Sequence, residues 1–209
     1  MKLFFLFLFI ISVGAIALVF SCELLGDTCS PISGYYLYLA TGGIHLALIS
    51  AALFFLWKKD VRTTLANAGF RGSIKDNLIF AAIGLSALFI LLIFLGIVSI
   101  GFGFNDQRNV SAKVDTLPLL VLAFAVIGAP FTEELFFRAF MVPRVGIIIS
   151  AILFGILHFT YGSVVEILGA FMIGTLLGAL FRMSKSIVPC ILVHLVYNLF
   201  SLTAMKLVS

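Results

Sequence analysis

Three ionisable residues lie inside one strongly apolar segment of this sequence. Glu133, Glu134 and Arg138 fall within residues 131–140, where most other side chains are apolar. Charged groups in a hydrocarbon-like environment are costly unless they are paired or hydrated, so they are rare there and usually functional. Glu134 and Arg138 are four residues apart and can pair on one helix face, whereas Glu133 points about 100° away and stays available.

Two further pairs of residues, each with at least one polar member, lie downstream in similarly apolar runs. Phe154 precedes His158 by four residues, and His194 precedes Asn198 by four. On a helix, each pair shares one face. Carboxylates, imidazoles and an amide on three separate helices therefore predict a buried polar site.

These groups suit the hydrolysis of an amide bond. Glu133 can take a proton from water, and His158 can hold or help activate that water. His194 and Asn198 can donate hydrogen bonds to the oxyanion that develops on the carbonyl. The alternative is a single zinc ion on Glu133, His158 and His194 with an open position for water, and the spacing leaves both readings open.

The composition indicates that the surroundings of this site are a lipid bilayer. Of the 209 residues, 63% are hydrophobic and only 11% are charged, and the mean hydropathy is +1.26. A soluble domain of this length needs far more polar surface. No basic run is interleaved with aromatic residues, which argues against nucleic acid as a partner.

The apolar stretches predict an all-α integral membrane protein whose transmembrane helices, about seven in number, enclose a polar intramembrane cavity. The predicted spans are 3–21, 35–57, 77–101, 117–142, 146–160, 163–181 and 187–205. The first span is expected to be an uncleaved helix, with a cleaved signal peptide as the alternative. The chain divides into N-terminal transmembrane helices, 1–116, and a catalytic-type core, 117–205.

The distribution of basic residues predicts a cytoplasmic N-terminus. Nine lysines and arginines fall on the N-terminal side of the membrane and three on the other. The nine are Lys2, Lys58, Lys59, Arg62, Arg71, Lys75, Arg144, Arg182 and Lys185; the three are Arg108, Lys113 and Lys206. The cytoplasmic loop 58–76 either lies along the interface or is solvated. A prokaryotic plasma membrane is the expected location, and an endomembrane would satisfy the same charge asymmetry.

The candidate residues are predicted to lie at a similar depth in the membrane. Counted from the cytoplasmic ends of their spans, Glu133, His158, His194 and Asn198 all lie roughly 10–18 Å deep, at a rise of about 1.5 Å per residue. The predicted site is therefore a water-filled pocket, and it is expected to open to the cytoplasm.

Several other residues are expected to lie outside this site. His45 has no polar partner at helical spacing and is read as structural, and Glu166 is expected to reach the interface. Cys190 is read as a packing residue. Cys22 and Cys29 share a loop and could form a disulfide if that loop is extracytoplasmic.

A stripe of small residues runs along the sixth predicted span. Ala170, Gly174 and Gly178 recur every four residues. Such a stripe lets helix backbones approach closely, so it predicts a packing seam without chemistry of its own.

At its polar residues the chain resembles the CAAX protease and bacteriocin-processing family, also called Abi, which includes the type II CAAX prenyl endopeptidases. That family carries E-E-x-x-x-R, F-x-x-x-H and H-x-x-x-N/D on successive membrane helices. The three patterns occur here in that order, and the resemblance covers residues 117–205. The matching segments are Glu133–Arg138, Phe154–His158 and His194–Asn198.

The resemblance implies an intramembrane endopeptidase. By motif position, Glu133 and His158 activate the water, and His194 with Asn198 forms the oxyanion hole. Glu134 and Arg138 then support these residues. The implied substrate is a membrane-associated peptide cut near its C-terminus, with a prenylated C-a-a-X tail as one form. The family has been described both as metal-dependent and as metal-free, so the cofactor is either none or one zinc ion.

A second hypothesis is a non-catalytic membrane protein. It would use the same cavity to bind a peptide or scaffold a partner, and bacteriocin immunity is one such role. This hypothesis predicts that replacing Glu133 or His194 changes binding or stability and has no enzymatic consequence. The protease is the favoured hypothesis because three motifs occur in order within apolar helices.

Overall fold

A computed structural model describes residues 1–25, 36–104 and 106–208, and these form helices without any β-strand. The all-α prediction is confirmed. The helices in chain order are α1 Lys2–Leu25, α2 Tyr36–Leu56, α3 Val61–Asn67, α4 Ile74–Gly101, α5 Gln107–Thr116, α6 Leu119–Glu134, α7 Val142–Leu157, α8 Val164–Ser184 and α9 Val188–Val208. A π-helical segment, Leu135–Met141, joins α6 to α7, and a short 3₁₀ turn, His158–Tyr161, follows α7.

Six helical stretches in the described residues are long and apolar enough to cross a bilayer. Five match single predicted spans, and the sixth, Leu119–Tyr161, contains 43 residues. A straight helix of that length would extend about 65 Å, twice the roughly 30 Å thickness of the hydrocarbon core. This stretch therefore cannot be one straight helix across the bilayer and must bend.

The bend lies at Gly146, whose φ of 85° and ψ of 173° are not helical. Glycine tolerates this conformation because it has no Cβ. Beyond the bend, Ser150 donates a hydrogen bond to the Phe137 carbonyl oxygen at 2.9 Å. Those residues would be about 20 Å apart along a straight helix. The chain thus reverses at Gly146 and supplies both of the spans predicted at 117–142 and 146–160.

The two ends of the bundle differ in charge. The basic end contains the loops around residues 57–73, 142–146 and 185–187, where Ile187 N–H donates to the Gly69 carbonyl at 2.9 Å. The other end, here called the α5 end, contains α5 and the end of α9, joined by a 3.3 Å ion pair between Lys206 and Asp115. Each long helix connects these two ends, so a residue number gives an approximate depth.

The predicted polar segment 58–76 contains the short helix α3 at the basic end. Asp60 caps this helix by accepting a 2.8 Å hydrogen bond from the Thr63 amide. That bond lowers the pKa of Asp60 below its usual value, because it stabilises the carboxylate. Cys29 and the side chain of Cys22 lie outside the described residues, so their predicted disulfide does too. Cys190 is fully buried, as expected for a packing residue.

The predicted seam of small residues packs α8 against α7. A Cβ added at Gly174 would lie 3.3 Å from the Ala151 Cα, and one at Gly178 would lie 2.8 Å from the Ile147 side chain. Ala170 is also buried. The packing prediction is confirmed, and this close contact fixes the position of α7, which ends at Leu157, directly before His158.

The facing glycine on α7 gives a test of this packing. A Cβ on Gly155 would lie 2.9 Å from the Ile167 carbonyl oxygen, which is backbone and cannot move aside easily. We expect Gly155→Ala to lower the unfolding free energy by about 1–3 kcal/mol, as overpacked sites do. Thermal unfolding in detergent measures the change.

The matched control is Gly96→Ala in α4, where nothing lies within 4 Å of the added Cβ. It should be neutral or stabilise the protein by about 0.5–1 kcal/mol through its greater helix propensity. Equal melting temperatures for the two variants would contradict the tight α7–α8 contact.

Candidate active site

A cavity of about 780 Å³ occupies the centre of the bundle. Its walls come from every long helix except α4, with contributions from α5 and the 3₁₀ turn. The lining includes four of the predicted site residues, namely Glu133, His158, His194 and Asn198. The fold therefore brings together the residues that the depth argument placed at one level.

The cavity extends from this level toward the α5 end. Its lining includes Lys113 and Thr116 of α5, Tyr161 after α7, and Ser201 and Met205 near the end of α9. Toward the basic end it is closed by a buried apolar cluster. That cluster consists of Ala52, Leu56, Ala68, Leu135, Ala139, Ile187 and Ile191. The pocket was expected to open at the basic end, but apolar packing fills the helix ends there and the cavity lining runs toward the α5 end. Which end is cytoplasmic stays a prediction.

Glu134, Arg138 and His194 form a buried ionic cluster beneath the cavity. Arg138 Nε lies 2.9 Å from Glu134 Oε2, which confirms the predicted pairing, although the N–H is not well aligned with the oxygen. His194 Nδ1 lies 2.8 Å from Glu134 Oε1. Both Glu134 and Arg138 are at most 1% exposed. The Arg138 guanidinium also lies 4.8 Å from the centre of the Phe154 ring.

Glu133 lies on the adjacent face and points into the cavity, with 16% of its side chain exposed. Its two carboxylate oxygens face different imidazoles. Oε2 lies 3.7 Å from His194 Nε2, and Oε1 lies 3.8 Å from His45 Nε2. These separations exceed a direct hydrogen bond. The carboxylate is thus held near two imidazoles, with room to bind a proton or a water.

His158 has its tautomer fixed by the backbone. Its Nδ1 lies 2.8 Å from the Phe154 carbonyl oxygen, and a carbonyl can only accept, so Nδ1 carries the hydrogen. In the neutral ring, Nε2 then has a free lone pair. The Phe154 ring contacts the rings of both His158 and His194, at centroid distances of 4.8 and 5.9 Å. His158 therefore presents a hydrogen-bond acceptor to the cavity.

Asn198, on α9, is held against α6 by a hydrogen bond. Its Nδ2 donates a 2.9 Å hydrogen bond to the Ala125 carbonyl oxygen in α6. An amide nitrogen carries two hydrogens, so this bond fixes the orientation of the side chain and uses only one of them. Asn198 can thus present the second N–H to a ligand in the cavity.

Two residues that were expected to lie outside the site also line the cavity, namely His45 and Glu166. Glu166 lies in the first turn of α8, nearer the α5 end. His45 was read as structural because only partners in its own helix were considered, and its contacts come from α6. The depth argument could have found it, since His45 is twelve residues from the cytoplasmic end of its predicted span, or about 18 Å.

The zinc alternative needs three ligands around one point. Within residues 1–25, 36–104 and 106–208, no group of three His, Cys, Asp or Glu side chains is arranged to hold a metal ion. Glu133, His158 and His194 line one cavity but do not close on one position. The arrangement does not fit the predicted zinc site, and the chemistry below uses the side chains alone.

Comparison with known proteins agrees with the motif assignment. Residues 115–200 match the family model described as type II CAAX prenyl endopeptidase Rce1-like. No curated protein and no solved structure matches the chain. The matched segment contains α6 to α8 and most of α9, and hence every predicted site residue.

Proposed function

We propose that this protein is an intramembrane endopeptidase, because residues 115–200 match the Rce1-like family model, and that family suggests membrane protease activity. It hydrolyses a peptide bond near the C-terminus of a membrane-associated peptide. The observation that carries this proposal is the position of Glu133, whose carboxylate faces the cavity between two imidazoles at 3.7 and 3.8 Å. The division at residue 116 remains a prediction.

Glu133 is the general base of the proposed reaction. It takes one proton from a water that His158 holds through its Nε2 lone pair, and the water oxygen bonds to the scissile carbonyl carbon. As the C–N bond breaks, Glu133 returns that proton to the leaving amine. One water is consumed, and the carboxylate is regenerated.

His194 and Asn198 stabilise the tetrahedral oxyanion. His194 needs a hydrogen on Nε2 for this role, while its Nδ1–H donates to Glu134. The imidazolium form meets both needs, and it makes Glu133, Glu134, Arg138 and His194 electrically neutral as a group. Asn198 adds its second amide hydrogen. Donors fixed in advance around the oxyanion are an effective source of rate acceleration.

Glu134 and Arg138 act by positioning. Glu134 orients the His194 ring through the 2.8 Å contact, and Arg138 compensates the charge of Glu134. A carboxylate behind a functional imidazole fixes both its tautomer and its orientation. Neither residue is proposed to touch the substrate.

The cavity supports a peptide as the substrate class. Its volume of about 780 Å³ falls within the range of about 300–1,000 Å³ typical of ligand pockets. The substrate is a membrane-associated peptide with or without a prenyl group. Because the cavity extends toward the α5 end, we propose that the peptide enters from that end.

The test is cleavage by the detergent-purified protein. A farnesylated C-a-a-X peptide, the same peptide without the farnesyl group, and a panel of C-terminal membrane-anchored peptides would be incubated with it. Mass spectrometry then identifies any new C-terminus. Cleavage of at least one peptide that depends on Glu133 supports the protease. If the protein binds peptides and cuts none of them, the peptide-binding or scaffold function replaces it.

The side of entry gives a separate prediction. The basic end carries nine lysines and arginines and the α5 end carries three, so the α5 end should be extracytoplasmic. The natural cysteines would be replaced by serine, and Lys59→Cys and Arg108→Cys would be made singly; both positions are exposed. On intact cells, a membrane-impermeant maleimide should label Arg108→Cys, and it should label Lys59→Cys only after permeabilisation. The reverse pattern would put substrate entry on the cytoplasmic side.

A further inference from the structure

His45 lies outside the matched segment, on α2, yet it contacts the proposed catalytic base. Its Nε2 is 3.8 Å from Glu133 Oε1, and its ring packs edge-on against Phe124 at 4.8 Å. The imidazole is only 12% exposed. No motif of the sequence includes it, and the proposed mechanism has not used it.

The tautomer of His45 follows from its partner on α6. His45 Nδ1 lies 2.6 Å from Thr132 Oγ1. The Thr132 hydroxyl has one hydrogen, which points to the Ala129 carbonyl oxygen at 3.0 Å. The hydroxyl must then accept from His45, so Nδ1 carries the hydrogen. In the neutral ring, Nε2 is left with a lone pair, and this nitrogen lies 3.8 Å from Oε1 of Glu133.

The two oxygens of Glu133 are consequently not equivalent. Oε2 faces His194, which in the proposed mechanism is a hydrogen-bond donor. Oε1 faces His45, which is an acceptor. A proton that arrives on the carboxylate is favoured on Oε1, since the resulting O–H has an acceptor there, whereas an O–H on Oε2 would face the donor His194. A hydroxyl without a partner in a buried site would be costly.

We propose that His45 is a positioning residue for the proton that Glu133 carries during peptide hydrolysis. When Glu133 takes the proton of the attacking water on Oε1, His45 Nε2 accepts a hydrogen bond from that O–H. It releases this bond as the proton moves to the leaving amine, and His45 itself gains no proton. The inference rests on the proposed protease function and adds a residue from α2 to the site.

Two variants separate this role from helix packing. His45→Phe and Thr132→Val each remove the same 2.6 Å hydrogen bond between α2 and α6, so a purely structural role predicts equal effects on stability and activity. Only His45→Phe removes the Nε2 acceptor. We expect His45→Phe to lower kcat by about 10²-fold, at the lower end of proton-transfer effects, with KM unchanged. Thr132→Val should lower kcat by only about fivefold, because Nε2 is retained.

His45→Gln serves as the conservative variant, since its amide oxygen can accept a hydrogen bond. Its kcat should be at least tenfold higher than that of His45→Phe. It also keeps the test valid if the phenylalanine variant fails to fold. Equal kcat values for His45→Phe and Thr132→Val, or a His45→Phe kcat within twofold of the parent, would overturn the inference.

The parent and Glu133→Gln are assayed on the same peptide. Activity in the parent, none in Glu133→Gln and full activity in the His45 variants would refute the role of His45 and leave the protease intact. Absence of cleavage by the parent across the whole peptide panel would refute both.

Discussion

Glu133→Gln should abolish peptide cleavage, with a loss of about a thousandfold or more in kcat, within the range of general base catalysis. The amide has nearly the same shape as the carboxylate and cannot take the proton of the water. KM should change little, because the cavity walls are unaltered. Initial rates on a peptide that the parent cleaves give the measurement.

A second carboxylate in the same cavity provides the control. Glu166→Gln replaces a carboxyl group on the cavity wall nearer the α5 end that has no proposed role in the reaction. Its kcat should stay within about tenfold of the parent, since proton transfer itself is untouched. Equal losses for the two variants would mean that the charge of the cavity matters and that Glu133 has no special role. An active Glu133→Gln would reject the mechanism.

Arg138→Met should cause the largest loss of stability. It leaves the buried cluster around Glu134, which is 0% exposed, with one negative charge that no cation compensates. Breaking a buried ion pair in this way costs about 3–5 kcal/mol. Thermal or chemical unfolding in detergent reports this loss, and cleavage activity should fall with it because Glu134 also orients His194.

The double variant Glu134→Gln with Arg138→Met separates charge from packing. It removes both charges, and its amide oxygen can still accept from His194 Nδ1, so it should recover more than half of the lost stability. Arg144→Met is the matched control, because Arg144 is exposed and bonds the Phe140 carbonyl at 2.7 Å. It should cost less than about 1 kcal/mol, as surface changes usually do. Parent-like unfolding of Arg138→Met would contradict the buried pair.

These two experiments address different questions. Glu133 faces the cavity and is expected to affect the reaction, whereas Arg138 lies beneath it and is expected to affect the fold. The residues are only five positions apart. Each residue of a helix is rotated by about 100° from the one before it, so Glu133 and Glu134 lie on different faces. Glu133 faces the cavity, and Arg138 shares the other face with its partner Glu134.

The class of the protein and most residues of the candidate site could be predicted from the amino-acid sequence. Apolar spans of bilayer length permit only helices in the membrane, because backbone groups there must be satisfied within each segment. The four-residue spacing of Glu134 and Arg138 predicted their ion pair, since such positions are neighbours on a helix surface. Counting depth brought Glu133, His158 and His194 to one level, because the rise per residue is constant.

The neighbours that these residues meet, and the end toward which the cavity extends, depend on how the helices pack and could not be predicted. His45 reaches Glu133 only because α2 packs beside α6, and a contact between helices leaves no periodic signal in either one. The chain reverses at Gly146 through a positive φ. Many glycines in membrane proteins do not adopt a positive φ, so a glycine in the sequence does not by itself indicate a reversal. The cavity extends toward the α5 end because apolar side chains fill the basic end. That packing depends on side chains from several helices at once, so no single segment could have revealed it.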